Sequence, residues 1–515
     1  MITSNSVYTD RDAIQRNHNL RMGVDYQLTK KTTIGGLVTS YDTKWSMDAV
    51  SLSNYILNKA ADTTIHISVS EKNQWQHYMS NIYLQHAISS TERFSFDFDY
   101  LYYKNNNPTT YLNSFYGGSG NFVYDERAKS GKKTPITVYV GKLDYFKQLG
   151  KKLELESGLK ATISEFNNDV YVLRSIQTDW FTDDAFSAEY KLREKIAAAY
   201  SSFNITAGKK TNVKLGGRYE YTTSNLGSAK QVNIVDRKYG RFFPSFFVSQ
   251  NLNKTSSFNF SYSRRITRPT FNELAPWVLF LDPNTFISGN AALQPSIANA
   301  LKLDYLFKKN IFSIAYTHED DVIVRFQPKV DAATNKQSLM SENLDSRKTF
   351  TLTIAMPFNL ANWWNIQFNG MGTWQQQNIL YNNDRIRLEQ KNFRINATQN
   401  FTLPKNYSLE LSGFYQSSAI IGFSMAKPFG VLNFGAQKKL KGNSGSLRFN
   451  VTDIFNTLIF RGTVDLPQYN LVMSRSMRFV TRTARLTYSK NFGSSQVKAR
   501  KNRLTGSDEE RKRVE

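Results

Sequence analysis

The 515-residue chain contains no cysteine. That removes a disulfide framework, a cysteine-ligated zinc site and a cysteine nucleophile together. Histidine is scarce: His18, His66, His77, His86 and His318 are the whole set. No two of them stand at H-E-x-x-H or a comparable metal-pair spacing. His77 and His86 fall in one expected strand but on opposite faces. There is no G-x-S-x-G elbow and no phosphate-cradling Walker loop. Gly117-Gly118-Ser119-Gly120-Asn121 is glycine-rich, yet it lacks the strand–helix setting of a phosphate site and reads as a flexible loop. Asp183-Asp184 and Glu319-Asp320-Asp321 could offer oxygen ligands to a hard cation, but no ligand spacing repeats, so solvated loops or strand ends are expected. Nothing here asks for an enzyme, a cofactor or a metal. Long apolar runs are missing too: the longest, such as Trp277 to Leu281, fall far short of the ~18 residues of a membrane-crossing helix. The opening residues Met1 to Ser6 lack the basic and then apolar regions of a secretory signal.

What the chain does have is aromatic residues, 36 Phe, 28 Tyr and 7 Trp, and a period of two. Phe94, Phe96, Phe98, Tyr100 and Tyr102 interleave with Ser95, Asp97 and Asp99. Phe258, Phe260 and Tyr262 interleave with Ser257, Asn259 and Ser261. Leu153, Leu155, Leu159, Ala161 and Ile163 interleave with Glu154, Glu156, Lys160 and Thr162. On a strand each set makes one apolar and one polar face. About nineteen such runs follow one another (many of 10 to 16 residues), from near residue 20 to residue 492. That is long for a globular strand and sufficient for a tilted strand to cross a bilayer.

Short breaks, such as 28–32, 148–153, 207–212, 251–255, 307–310 and 403–406, alternate with long ones at 105–134, 166–189, 267–295 and 327–348. This asymmetry is that of a bacterial outer-membrane barrel, with periplasmic turns and extracellular loops. The expected fold is therefore all-β: one large antiparallel transmembrane β-barrel over residues 1–492, followed by a basic, disordered tail over 493–515. Such barrels have an even strand number with both ends periplasmic, so an odd count starting on the outside implies strands upstream of Met1. The formal charge is +24. Its cations are spread along the chain, with lysine pairs such as Lys151-Lys152 and Lys308-Lys309 at the short breaks. That distribution excludes a nucleic-acid face and suggests solvated turns. In a barrel, Phe96 and Phe260 would face lipid, Trp363, Trp364 and Tyr407 would form a girdle, and Glu154, Glu156, Lys160, Asp97, Asp99, Asn259 and Arg265 would line the lumen.

Two segments carry a family resemblance. One runs Tyr262-Ser263-Arg264-Arg265-Ile266-Thr267-Arg268-Pro269-Thr270-Phe271, through Leu274 and Pro276, to Leu281-Asp282-Pro283, Gly289-Asn290 and Leu293-Gln294-Pro295. The other is Asn450-Val451-Thr452-Asp453-Ile454-Phe455-Asn456. Together they resemble the barrel of Bacteroidetes outer-membrane proteins of the TonB-dependent receptor type. The resemblance implies a 22-stranded barrel preceded by a signal and a plug. About nineteen of those strands are visible here, and nothing in the chain resembles the plug or a TonB-contacting box. It also implies a function: capture of a nutrient or ligand by extracellular loops, then uptake powered through TonB. A non-transporting adhesin or structural barrel is the alternative. Implied partners are outer-membrane lipid and lipopolysaccharide, an unidentified small ligand or oligomer, and the TonB complex only where a plug is present. Candidate ligand contacts are the loop aromatics Tyr111, Phe115, Tyr116, Trp277 and Phe280, for which self-packing is an equal alternative. Arg264 and Arg268 are further candidates, unless they and Arg265 anchor their loop against wall carboxylates.

Overall fold

The computed structural model describes residues 3–57, 60–176, 179–275, 277–331, 336–381, 384–442, 444–469, 471–478, 482–490 and 505–514. Pro276, within the family-like segment, lies outside the described residues. The alternating runs fold as one sheet of 23 strands. Nineteen of these form the wall. The other four are short: Thr109–Gly117, which extends the wall strand Glu92–Asn106, and Asp179–Thr182, Val278–Asp282 and Thr285–Ser288, which are hairpin pieces. Each wall strand pairs antiparallel with the next, from Thr3–Thr29 against Thr32–Leu57 to Ser446–Thr452 against Thr483–Ser489. The expected count of nineteen and the large antiparallel barrel both stand.

Alternation decides which face is which. In Glu92–Asn106, Phe96 and Phe98 are 43% and 40% exposed, whereas Asp97 and Asp99 are buried at 8% and 0%. In Leu153–Ile176, Leu159 and Ile163 point outward while Lys160 and Thr162 are buried. The outer face is thus an apolar band, and the charged residues face the lumen. At the short-turn end, Trp363, Trp364 and Phe401 form one ring cluster. Tyr407 lies 3.6 Å under the Lys438 ammonium. The turn lysines do more than solvate their turns. Lys31 Nζ donates to Ile88 O at 3.0 Å, Lys210 Nζ to Leu252 O at 2.9 Å and Lys438 Nζ to Lys405 O at 2.9 Å. Each ties its turn to a neighbouring one, which leaves a basic rim below the aromatic belt.

The long connections differ from the expectation of loops. Residues 105–134 are mostly strand: Glu92–Asn106 and Thr109–Gly117 continue one ladder on Ala60–Ser89, and the chain returns in Phe122–Gly150. Pro108 merely interrupts this ladder, since it has no N–H to give. Its carbonyl still accepts from Lys72 N at 3.0 Å. Residues 327–348 likewise continue strands to Asp331 and from Lys336. Strands of 26 to 30 residues, such as Lys336–Ala361 and Ala60–Ser89, project well beyond the ~9–11 that cross a bilayer. A second, four-stranded sheet (Ala419–Ile421, Ser424–Ala426, Ile459–Leu466 and Leu471–Arg478) lies against this projecting part of the wall. It packs Phe423, Val464 and Leu471 against Val322, Leu344 and Tyr381 of the wall. Among the described residues, Thr3–Thr29 and Thr483–Ser489 each pair along one edge only.

Candidate functional site

The lumen is not an open polar channel. Going up the wall, inward positions change from charged to apolar: Asp97 and Asp99 give way to Leu101 and Tyr103, and Lys160 and Thr162 to Phe166. Met79, Leu101, Val138, Phe166 and Leu192, from five neighbouring strands, join Phe271, Leu274, Ala275, Leu293 and Val514 in one cluster. The last five come from two segments that enter the barrel.

The first segment is 268–295. Its helix α1 (Phe271–Leu274) starts at Thr270, whose hydroxyl accepts from Glu273 N, while the Glu273 carboxylate accepts from Thr270 N at 2.8 Å. This reciprocal cap satisfies the helix start within four residues. The same carboxylate takes Arg325 Nε at 2.6 Å, which ties the turn to the wall. Asn290 N donates to Glu273 O at 2.6 Å, and Asn290 Nδ2 to Ser341 O at 3.0 Å. Arg237 donates to the carbonyls of Ala292 and Leu293. Gly289 is the point of closest approach: a Cβ there would sit 1.8 Å from the Ala275 carbonyl oxygen. No side-chain rotation relieves a clash with backbone. Gly289→Ala should therefore detach the inward segment, at a cost of about 3 kcal/mol or more. Limited proteolysis between residues 268 and 295 should quicken while the wall stays folded.

The second segment is the C-terminal end. The expectation of a disordered tail over 493–515 is corrected for its described part. Residues 491–504 and 515 lie outside the described residues. Residues 505–507 lead into α2 (Asp508–Val514), in which Glu510, Arg513 and Val514 are buried. The run of charge reads as solvated in sequence because its partners lie between 244 and 350 positions away. Lys160 Nζ stands 3.0 Å from a carboxylate oxygen of Glu509 and 3.0 Å from one of Glu510, and Thr162 Oγ1 donates to Glu510 at 2.8 Å. Arg218 reaches Glu509 at 3.7 Å. Arg513 pairs with Glu194, donates to Pro269 O at 3.1 Å and lies 4.6 Å over the Phe271 ring. Glu509, Glu510 and Arg513 of α2 are thus met by complementary groups of the wall and of 268–295, which is why the charges of Glu510 and Arg513 can be buried there.

The sequence candidates fall into place as follows. Arg268 is nearly buried; its Nη2 donates to Glu220 at 2.6 Å and to Thr222 at 3.1 Å, so it anchors its loop on a wall carboxylate. Arg264 does not join it, and its Nε is buried without a hydrogen-bond partner. Tyr111 and Phe280 are brought together edge to face at 5.8 Å, with Phe186 and Phe286 beside Phe280. Trp277 donates to Asn272 O at 3.2 Å and lies under Lys132 at 4.7 Å. Phe115 stacks on Tyr124, and Tyr116 meets His66 and Phe122. Each of these aromatics has a partner within the chain. Of the acidic runs, Asp183 holds Arg174 and Glu319 holds Arg347. Among the described residues no group of His, Asp or Glu is placed to hold a metal ion. The sequence reading missed Glu194, Glu220, Arg218 and all of α2.

The second family-like segment is a turn lock. The buried Asp453 carboxylate accepts from Thr457 N at 2.8 Å, from Leu458 N at 3.0 Å and from Thr457 Oγ1 at 3.1 Å. Its own N–H donates to Asn433 Oδ1 at 2.9 Å. Burial alone would push this carboxyl up, but the donated bonds from Leu458 and Thr457 win and hold it below the ordinary range. A depressed carboxylate stabilises the folded turn fully above its unfolded value, about 3.9. That contribution fades as pH falls through the lower folded value. Hydrogen exchange at Thr457 and Leu458 should thus stay slow at neutral pH and quicken only below about pH 4. Asp453→Asn should quicken it at every pH.

These features coincide with a known family. The profile of the outer membrane protein beta-barrel family matches residues 86–489. The chain belongs to that family. It is accordingly an outer-membrane protein, and the apolar band is its lipid-facing surface. No curated protein matches it in sequence. Among solved structures, the Ferric-Catecholate import receptor Fiu from Escherichia coli K12 is similar with a TM-score of 0.55 at 11% identity, over 96% of this chain and 82% of that one. The siderophore receptor PiuA from Acinetobacter baumannii gives 0.55 at 9% identity, over 94% of this chain and 82% of that one. At such identity the likeness establishes the fold of this family member.

Proposed function

We propose that this member of the outer membrane protein beta-barrel family is the barrel of a TonB-dependent-type receptor that binds an unidentified nutrient or ligand and takes it across the outer membrane, without catalysis. The observation that carries the reading is the wall itself. Nineteen antiparallel strands form a wall whose inward face bears charged groups, and the strands project far past the bilayer, where a second small sheet packs on them. Coupling to the TonB complex applies only where a plug accompanies the barrel. Assignment to the Bacteroidetes rests on the 262–295 resemblance. Deleting the gene and restoring it should lower and then recover uptake of at least one compound when washed cells are offered a panel of labelled ferric chelates, oligosaccharides and peptides. Unchanged uptake across the panel, with no binding to the purified protein, removes the reading.

A second reading, a non-transporting adhesin or structural barrel, gains from one observation: α1 and α2 lie inside the lumen, packed on the inward face of the wall. In planar bilayers this reading expects a silent protein whose deletion changes cell adhesion and leaves uptake alone.

A further inference from the structure

The helix α2 is held unlike an ordinary chain end. Of its charged side chains, Glu510 and Arg513 are buried in two separate sites provided by the wall and the 268–295 segment, and Glu509, which is exposed, adds an ion pair to the first. The first site is made by Lys160, Thr162 and Arg218. Lys160 is 6% exposed at its side chain, and among the described residues its ion pairs are with Glu509 and Glu510 alone. Thr162 is buried at 3% and donates to the same carboxylate. Arg218 divides itself between Glu220 of the wall and Glu509 of α2. The second site is Glu194 with the Pro269 carbonyl and the Phe271 ring, which together fit one guanidinium. An apolar contact closes the set, with Val514 among the lumenal side chains. A buried ammonium without a carboxylate is costly, so the first site is complementary to a carboxylate whether or not α2 supplies it.

We propose that the lumen contains a binding site for an acidic peptide, built by Lys160, Thr162 and Arg218 at one end and Glu194 at the other, and that the chain's own C-terminal segment is its resident, displaceable occupant. The ligand chemistry is defined by the occupant: two adjacent carboxylates followed three residues later by a guanidinium. The site stands apart from the uptake reading, because it concerns what fills the lumen rather than what crosses it. While α2 is seated, Lys160 and Glu194 are occupied; when the carboxylates leave, Lys160 is free for another anion of the same pattern.

The absence of cysteine makes the test clean. Ser507 is fully buried beside Asp99, so Ser507→Cys places one thiol in the full chain, hidden when the segment is seated. A bulky, membrane-impermeant maleimide added to outer-membrane vesicles should modify S507C slowly. Adding Lys160→Glu or Glu510→Lys should speed modification at least about 10-fold, since each breaks a buried pair. The charge swap Lys160→Glu with Glu510→Lys should return the rate to within about 3-fold of the parent, which also shows that the variants fold. A fluorescent peptide of residues 505–515 should then bind in trans to the E510K chain, whose site is vacated, and fail to bind the K160E chain. Rapid labelling of S507C alone, equal rates in all four proteins, a swap that restores nothing, or a peptide that binds both chains alike would each overturn the proposal. None of these readouts depends on uptake, so a failed uptake assay leaves them unaffected.

Discussion

Glu220→Ala should be among the most damaging single substitutions in the lumen, costing about 3–5 kcal/mol. The side chain is 5% exposed and holds two guanidiniums, Arg218 from its own strand and Arg268 from the entry of the inward segment. Removing the carboxylate leaves Arg268, 11% exposed at its side chain, without its ion pair, and leaves Arg218 only the longer pair with Glu509 at 3.7 Å. Such a cost arises less from the lost attraction than from the uncompensated charge left behind. The direction of failure is specific. The wall ladder between Thr211–Ser228 and Val235–Asn251 remains, because its hydrogen bonds are backbone ones. The 268–295 segment loses its anchor at Arg268. Heating the purified barrel and following its compact gel mobility should show the wall unfolding close to the parent temperature. Proteolysis after residue 268, by contrast, should begin tens of degrees lower. Glu220→Gln should sit between the two, since it keeps the shape and one acceptor.

This loop also shows where reading the sequence reaches its limit. The wall was legible strand by strand, because each crossing must present apolar residues to lipid at every second position and the turns below it are short. The anchoring of Arg268 on a wall carboxylate was one of two readings left open, and the structure supplies the partner. The projecting strands were not legible. Asn105-Asn106-Asn107-Pro108 looks like a loop, and past the bilayer no lipid enforces alternation, yet Tyr111 and Asn113 still face inward while Leu112 points out. The lumenal cluster left a signal that alternation alone passes over: Leu101 and Tyr103, or Val138 and Val140, are apolar on the face that should be polar. A channel has no use for them, so something had to cover them. What covers them could not be named from sequence, since Lys160 and Glu510 are 350 residues apart and a charged run at a chain end has the composition of a solvated tail.

The assignment of faces makes a second strong expectation, and it uses two adjacent residues. Phe260 lies near the middle of the crossing part of Ser256–Thr267 and is paired with Val248 on one side and Leu303 on the other, an outward apolar row. Asn259, its neighbour, sits between Ser249 and Asp304 on the inward row. Phe260→Arg should cost about 2–4 kcal/mol, the depth-dependent penalty for a guanidinium at the bilayer midplane of a barrel. Asn259→Arg should cost little, because the new cation meets water and the Asp304 carboxylate. Urea titration of the protein folded into thin lipid vesicles reads both directly, through tryptophan fluorescence. The contrast matters more than either value. A one-residue slip in register would exchange the two faces, so F260R and N259R would exchange their effects. Equal and large penalties at both sites would mean a lumen too dry to accept charge, and with it a lumenal filling that never leaves. Equal and small penalties would place this strand outside the bilayer and remove the apolar band as the lipid-facing surface.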